Sequence, residues 1–351
     1  VADLSGTLDL DAHIDILEDV HGDLSIDDVV HVEHSGRFEA LRGRSPNFGF
    51  TGSTWWARVA FSNQSDTATT VLLRQDYPLI DELAFYSENS SGQRQVIETG
   101  DRRPFASRDI DHQHFIFRVP LQAGETRTVH LKFATGGSMN IGLSASTEST
   151  LLARIGREQL GYGLYYGGFL VLLFYNLFIF IAVRDRAFFY YLLYLASYGT
   201  YFAVHNGLTF QFLWPNSPWW GNKSLVVLLS LTLFWGIKFS RSILQSERTS
   251  PRIDRAAAGL QWLSALGLVG AIALPYAKII LPLAAISILV PPVLIAMGIA
   301  GLFAGHQAAR YFLFAWSTLL VGVVVYMLKS FGILPHNFVT QNGFQIGALL
   351  E

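Results

Sequence analysis

Apolar positions follow two different patterns along this chain, and the change comes near residue 150. Before it, apolar and polar residues alternate over short stretches. Trp55, Ala57, Val59 and Phe61 make one face of a strand whose other face carries Trp56, Arg58 and Ala60. Leu83 and Phe85 alternate similarly, as do Phe115, Phe117 and Val119, then Val129, Leu131 and Phe133. Turn-forming clusters at 62–66, 88–92, 122–125 and 135–138 separate them. Short alternating strands with regular turn signals predict an antiparallel β-sandwich or barrel. About 130 residues suffice for such a domain to bury its own core.

After residue 158 the apolar runs reach membrane length. A bilayer core about 30 Å thick needs about 20 mostly apolar residues per helix. Segments 159–183, 187–208, 223–244, 256–277, 279–304 and 311–331 satisfy this, and a seventh run begins near Phe338 and stops after Leu350. The expected organisation is an acidic lead-in over 1–18, a β-sandwich over 19–149, a connector over 150–158 and a seven-helix transmembrane bundle over 159–351, cut inside its last helix. Any catalytic output is then expected beyond Glu351.

Loop charges orient the bundle. With the sandwich outside, the inner side carries Arg184, Arg186, Arg241, Arg248, Arg252, Arg255 and Arg310, seven basic residues. The outer side carries Arg154, Arg157, Lys223, Lys278 and Lys329, five. This margin follows the positive-inside rule, and Trp214, Trp219 and Trp220 in the outer stretch 209–222 suit an interfacial aromatic belt.

Composition adds exclusions. Hydrophobic residues make up 51% and charged residues 15%, apolar for a soluble chain. Ten acidic residues precede the first basic one, Arg37, which argues against nucleic-acid binding. There is no cysteine, so no disulfide, thiol nucleophile or cysteine metal site exists. The chain begins at Val1 and reads as a processed or trimmed N-terminus. Asp9, Asp11, Asp15, His13 and His21 are ligand types for calcium or zinc. Their spacing lacks the glycine and terminal glutamate of an EF-hand loop, so a solvated acidic lead-in and no cofactor are expected. P-loop, dinucleotide-binding, His-Glu-x-x-His and Gly-x-Ser-x-Gly motifs are all missing, so no enzyme is expected within these residues.

The order and spacing of several short motifs resemble one family. In the soluble half they are Leu17-Glu18-Asp19, Trp56-Ala57-Arg58 followed by Asn63, Thr99-Gly100-Asp101, Pro104 and Arg108. In the apolar half they are Gly163, Gly167, Tyr175-Asn176-Leu177, Arg184-Asp185, Tyr190, Tyr194, Gly207, Arg241, Gly305, Ala309-Arg310, Trp316, Gly332 and Leu334-Pro335. Together they resemble the bacterial seven-transmembrane receptors with diverse intracellular signalling modules (7TMR-DISM). The resemblance implies a periplasmic jelly-roll sensor similar to carbohydrate-binding modules and a multi-pass inner-membrane location. It also implies a homodimer, a small periplasmic ligand of carbohydrate-like type, and an output module such as a diguanylate cyclase, histidine kinase, adenylate cyclase or phosphatase. Some relatives are thought to respond to calcium.

Trp56, Arg58, Tyr77, Asp101 and Arg108 are the right types for a ligand site, since aromatic faces stack on C–H surfaces and planar charged groups bind hydroxyls or carboxylates. The competing reading makes Trp56 a core plug and the charged residues a structural ion-pair network. In the apolar half, Asn176 sits mid-span and suits hydrogen bonding across helices, while His205 lies toward the outer end of the second run. Pro282, Pro291 and Pro292 are expected to kink the fifth. A transporter or channel with an accessory binding domain is the alternative function. It calls for repeated halves with broken helices, and only one proline-interrupted run is visible.

Overall fold

The computed structural model describes residues 6–31, 36–88 and 93–334. The chain divides into two compact units, one of residues 1–160 with 205–221, the other of 161–204 with 222–351.

The first unit is an antiparallel β-sandwich. Its strands are β1 (Leu8–Asp9), β2 (Asp15–Asp19), β3 (Glu39–Ala40), β4 (Asn47–Phe50), β5 (Thr54–Ser62), β6 (Thr69–Gln75), β7 (Glu82–Glu88), β8 (Arg94–Thr99), β9 (Phe115–Leu121), β10 (Thr126–Ala134), β11 (Ser138–Asn140) and β12 (Leu143–Ser146). One sheet has the order β3-β2-β5-β10-β7-β8, the other β1-β12-β6-β9, and β4 pairs with β11. Successive strands cross repeatedly from one sheet to the other. The expected alternation places Trp55, Ala57, Val59 and Phe61 of β5 in the core with Leu83, Phe85, Val129, Leu131 and Phe133. Val71, Leu73, Phe115, Phe117 and Val119 enter from the opposing sheet, and Phe85 stacks on Phe117 at 4.7 Å between ring centres. The turn expected at 88–92 lies mostly outside the described residues.

Both outer sheet faces are partly covered. On the six-stranded sheet a short helix α1 (Ile26–Val30), started by a capping box between Ser25 and Asp28, packs a small cluster of Leu17, Val29 and Trp56. On the four-stranded sheet Leu151 and Ile155 lie against Leu72, Ile116 and Ile110. These two residues belong to α2 (Glu148–Val183), a helix of 36 residues. The connector expected at 150–158 is therefore helical.

The helical unit continues with α3 (Arg186–His205). After α4 (Leu208–Phe212), which lies in the sandwich unit, come α5 (Pro218–Ile243), α6 (Ser246–Thr249), α7 (Pro251–Ala273), α8 (Tyr276–Phe303) and α9 (Gln307–Ser330). Among the described residues five helices (α2, α5, α7, α8 and α9) are long and apolar enough to cross a membrane. The second run differs. α3, which carries Tyr190, Tyr191, Tyr194, Tyr198 and Tyr201, is not among the five. Tyr194, Tyr198 and Tyr201 are buried, with Tyr194 packed on Trp316 at 5.2 Å and Tyr198 on Phe202 at 4.7 Å. A helix inside the bundle needs packing partners more than lipid-like side chains. The seventh run lies outside the described residues. The three prolines of α8 sit within one helix of 28 residues, so it is not broken into two.

The Asn176 side-chain amide donates within its own helix, to the Leu172 carbonyl one turn back, at 2.9 Å, rather than across to a neighbouring one. At the end of α5, Arg241 donates to both carboxylate oxygens of Asp254 at 2.8 Å, and to Gln261 at 2.9 Å. This ties α5 to α7. Asp254→Ala would leave the half-buried guanidinium with only Gln261 and the more exposed Glu247, at 3.2 Å, a loss of about 3 kcal/mol. A fall in melting temperature that Arg241→Ala matches, with the double variant no worse than either single one, is the expected pattern.

Candidate ligand-binding cleft of the sandwich

Period-two alternation on β5 sends neighbouring tryptophans to opposite faces. Trp55 faces inward and stacks on Phe48 of β4, with ring centres 3.8 Å apart and planes at 17°. β4 is held in place by β11, and Gly49 in that strand has φ +64, which glycine adopts without strain. The stacked pair forms part of the wall of an open cleft of about 660 Å³. Arg37, Glu39, Arg44 and Glu18 line the same cleft. Arg44 donates through Nε to the Leu41 carbonyl at 3.2 Å, and Glu18 accepts from the Ser53 hydroxyl at 2.7 Å. Among the described residues no carboxylate forms an ion pair with Arg37 or Arg44. An aromatic wall beside two guanidinium groups that have no ion-pair partner among the described residues suits a small molecule bearing hydroxyls or carboxylates.

A smaller hollow of about 260 Å³ lies under α1, lined by Tyr86, Arg94, His130 and Arg127 among others. Its cations are already paired, Arg94 with Asp27 at 2.6 Å and Arg127 with Glu125 at 2.8 Å. Burial, with Arg58 and Arg94 nearby, pushes His130 down to about 4, so the imidazole is neutral at pH 7. The larger cleft is the better site. Among the described residues no group of three or more His, Asp or Glu side chains is placed to hold a metal ion.

A family profile described as 7TM diverse intracellular signalling matches residues 158–351. A second, described as 7TMR-DISM extracellular 2, matches residues 11–147. The chain belongs to the 7TMR-DISM family. No curated protein matches it. The receptor is thus a multi-pass membrane protein whose extracellular sensor, a β-sandwich, precedes the helices.

In this receptor the five ligand candidates do not converge on one pocket. Trp56 and Arg58 point to the outer face of the six-stranded sheet, away from the core that holds Tyr77. Trp56 is fully buried, stacked on Tyr86 at 5.8 Å, with the Lys132 ammonium 5.2 Å above its ring. It plugs a satellite core. Arg58 pairs with Asp15 at 2.8 Å and covers the Phe38 ring at 4.5 Å.

Tyr77, Asp101 and Arg108 are buried elsewhere in the same unit. Arg108 donates from one guanidinium nitrogen to the carbonyls of His112 at 2.9 Å and Gln113 at 2.7 Å. Its charge lies over Phe115 at 4.1 Å, Phe105 at 4.6 Å and Phe210 at 5.9 Å. Burial pushes the guanidinium down to about 9, against the opposing pull of Asp101 and Asp111, and it remains charged at neutral pH. Phe210 comes from α4, in the stretch between the second and third apolar runs. That stretch folds onto the sandwich: the Phe105 amide donates to the Pro215 carbonyl at 3.0 Å, and His205 meets Tyr77 edge-on at 6.5 Å. Sequence reading missed Phe48, Arg37 and Arg44, because 36–50 carries no alternating signature long enough to announce a strand.

Proposed function

We propose that this receptor binds a small polar ligand, bearing hydroxyl or carboxylate groups, in the Phe48–Trp55 cleft. The occupied sensor biases the helical unit between two arrangements and so governs a cytoplasmic output module. A ligand shifts such an equilibrium only through differential affinity for the two states. The observation that carries this reading is the stacked aromatic wall beside Arg37 and Arg44. A bacterial inner-membrane location and a homodimer fit the family. A transporter calls for paired broken helices, and the proline-rich α8 is continuous.

A panel of neutral hexoses, hexuronates and dicarboxylates tests the cleft by scanning fluorimetry of the full chain in detergent. A binder stabilises only the state it binds, adding about 2.7 kcal/mol at a hundred times its Kd. Arg37→Ala and Arg44→Ala should each leave the unliganded melting temperature within about 2 °C and remove the ligand-induced rise. A ligand-induced rise that survives both substitutions moves the site elsewhere.

Orientation has its own test, simplified by the absence of native cysteine. Ala123→Cys, in the exposed β9–β10 turn, should react with an impermeant maleimide in cells whose outer membrane is permeabilised. Arg248→Cys, exposed in α6, should react only after lysis. Labelling of both in intact cells would reject the assigned topology.

A further inference from the structure

The sandwich carries two buried histidines that the proposed ligand site does not use. His112 and His114, both 5% exposed, stack at 5.4 Å between ring centres at the start of β9. The His114 amide donates to His112 Nδ1 at 3.1 Å, so that nitrogen is an acceptor and carries no proton. Among the described residues His114 Nδ1 has no hydrogen-bond partner.

Their surroundings are cationic. On β6, Arg74 pairs with Asp76 at 2.7 Å and with Glu158 of α2 at 2.9 Å. Arg154, one turn earlier on α2, closes the ring: it meets Asp76 at 3.0 Å and Glu158 at 2.9 Å, and donates to the Ser144 hydroxyl at 3.1 Å. This network and the Leu151–Ile155 contact fasten residues 148–160 to the four-stranded sheet. The carbonyls of His112 and Gln113 also hold Arg108, whose charge lies over Phe210 of the 205–221 segment. Gly207 packs there too: a Cβ at that position would lie 3.1 Å from the Gln113 carbonyl oxygen. The histidine pair thus sits between both fastenings.

We propose that His112 and His114 form an acid-operated release for the two segments docked on the sandwich, residues 148–160 and 205–221. In the docked state both imidazoles are neutral. Acidification transfers one proton from solvent to a ring nitrogen of each. On His112 the proton must go to Nδ1, which breaks the bond from the His114 amide. The new charges then face Arg74, Arg154 and Arg108. Glu158 opposes the charge on His112, and it is already committed to two arginines.

The sign follows from burial. Desolvation, then Arg74, pushes His112 down to about 4, and the same causes hold His114 well below the ordinary histidine value. A released histidine returns toward about 6.5. Docking is therefore fully favoured above about pH 6.5, and is lost progressively as pH falls toward 4. His112 alone changes the docked-to-released ratio on the order of 100-fold between pH 7.5 and 4.5. Asp76 and Asp101 also face the cluster, with Asp109 and Asp111 in the preceding loop and His205 across from Tyr77. Asp11 is pushed up to about 7 by burial and by Asp9 and Asp76. Its raised value favours docking at low pH, the opposite sign, so it cannot mimic the release.

Spin labels on the full chain in nanodiscs test this without interference from native thiols. One pair, Ala123→Cys with Ala153→Cys, reports on α2, and a second, Ala123→Cys with Phe212→Cys, on the 205–221 segment. Both should give one narrow distance at pH 7.5 that gives way to a broad distribution by pH 4.5. His112→Asn, whose oxygen replaces Nδ1 as acceptor and cannot charge, should reduce the acid response on the order of 100-fold. His112→Asn with His114→Gln should abolish it, and Asp11→Asn should leave it intact. A wild-type distribution unchanged down to pH 4 overturns the proposal. So does a full response in His112→Asn, the decisive variant if the double one fails to fold, or loss of the response in Asp11→Asn.

Discussion

Gly100→Ala will unfold the sensor at a temperature at least about 10 °C below the wild type. Gly100 has φ +142, a conformation that residues with a Cβ avoid. A Cβ placed there lies 2.1 Å from the Asp81 carbonyl oxygen and 2.8 Å from the carbonyl carbon. Both atoms are main chain, so no rotamer change relieves the clash. The strand ends must separate, and there Asp101 donates to Ile80 at 2.8 Å and Arg102 to Asp81 at 3.2 Å. The Asp81 carboxylate also accepts from the Gly136 amide at 2.9 Å and pairs with Arg102 at 2.7 Å. Strain and overpacking together cost more than about 3 kcal/mol, which at this domain size is about 10 °C. Gly124→Ala is the control: φ is +67, but nothing lies within 4 Å of its Cβ, so only about 1 kcal/mol is lost. Scanning fluorimetry of both variants checks the pair, and a Gly100→Ala midpoint within about 3 °C of wild type would show that the strand ends yield easily.

Much of this fold is legible locally, because a side-chain period of two or a 20-residue apolar run needs no knowledge of partners. The inward face of β5 follows from alternation alone. What alternation cannot tell is which outward residue has a cover. Trp56 looks like a stacking platform until α1 is placed over it, and nothing in Ile26–Val30 announces that contact. Trp55 looks like ordinary core until Phe48 leaves one side of it open to a cleft. The outer stretch 209–222 reads as an interfacial loop from its tryptophans. Its docking on Phe105 and Arg108 depends on residues about a hundred positions away, beyond the reach of any sequence window. Nor do the tyrosines of α3 reveal an interior helix by hydropathy, since burial there comes from other helices rather than lipid.

Arg108→Ala should separate scaffold from site more sharply than any other substitution among the ligand candidates. If Arg108 were a ligand contact in an otherwise complete fold, its removal would leave the unliganded melting temperature unchanged. Its geometry argues the opposite outcome. Truncation strips the His112 and Gln113 carbonyls of their buried donor, each loss worth about 1–3 kcal/mol. It also removes a cation from over three aromatic rings, one of them Phe210 of the segment that docks on the sandwich. The expected loss is about 3–5 kcal/mol. Arg108→Lys keeps the charge but replaces the planar guanidinium that lies over Phe105, Phe115 and Phe210 with a compact ammonium on a shorter side chain, and should recover less than half of that. Hydrogen exchange provides a readout beyond global stability. Protection of the Phe105 amide, which donates to Pro215, should fall by more than the change in global unfolding in Arg108→Ala, because this bond closes the same contact. A variant that melts like the wild type and keeps that protection would return Arg108 to the list of ligand contacts and remove it from the docking of residues 205–221.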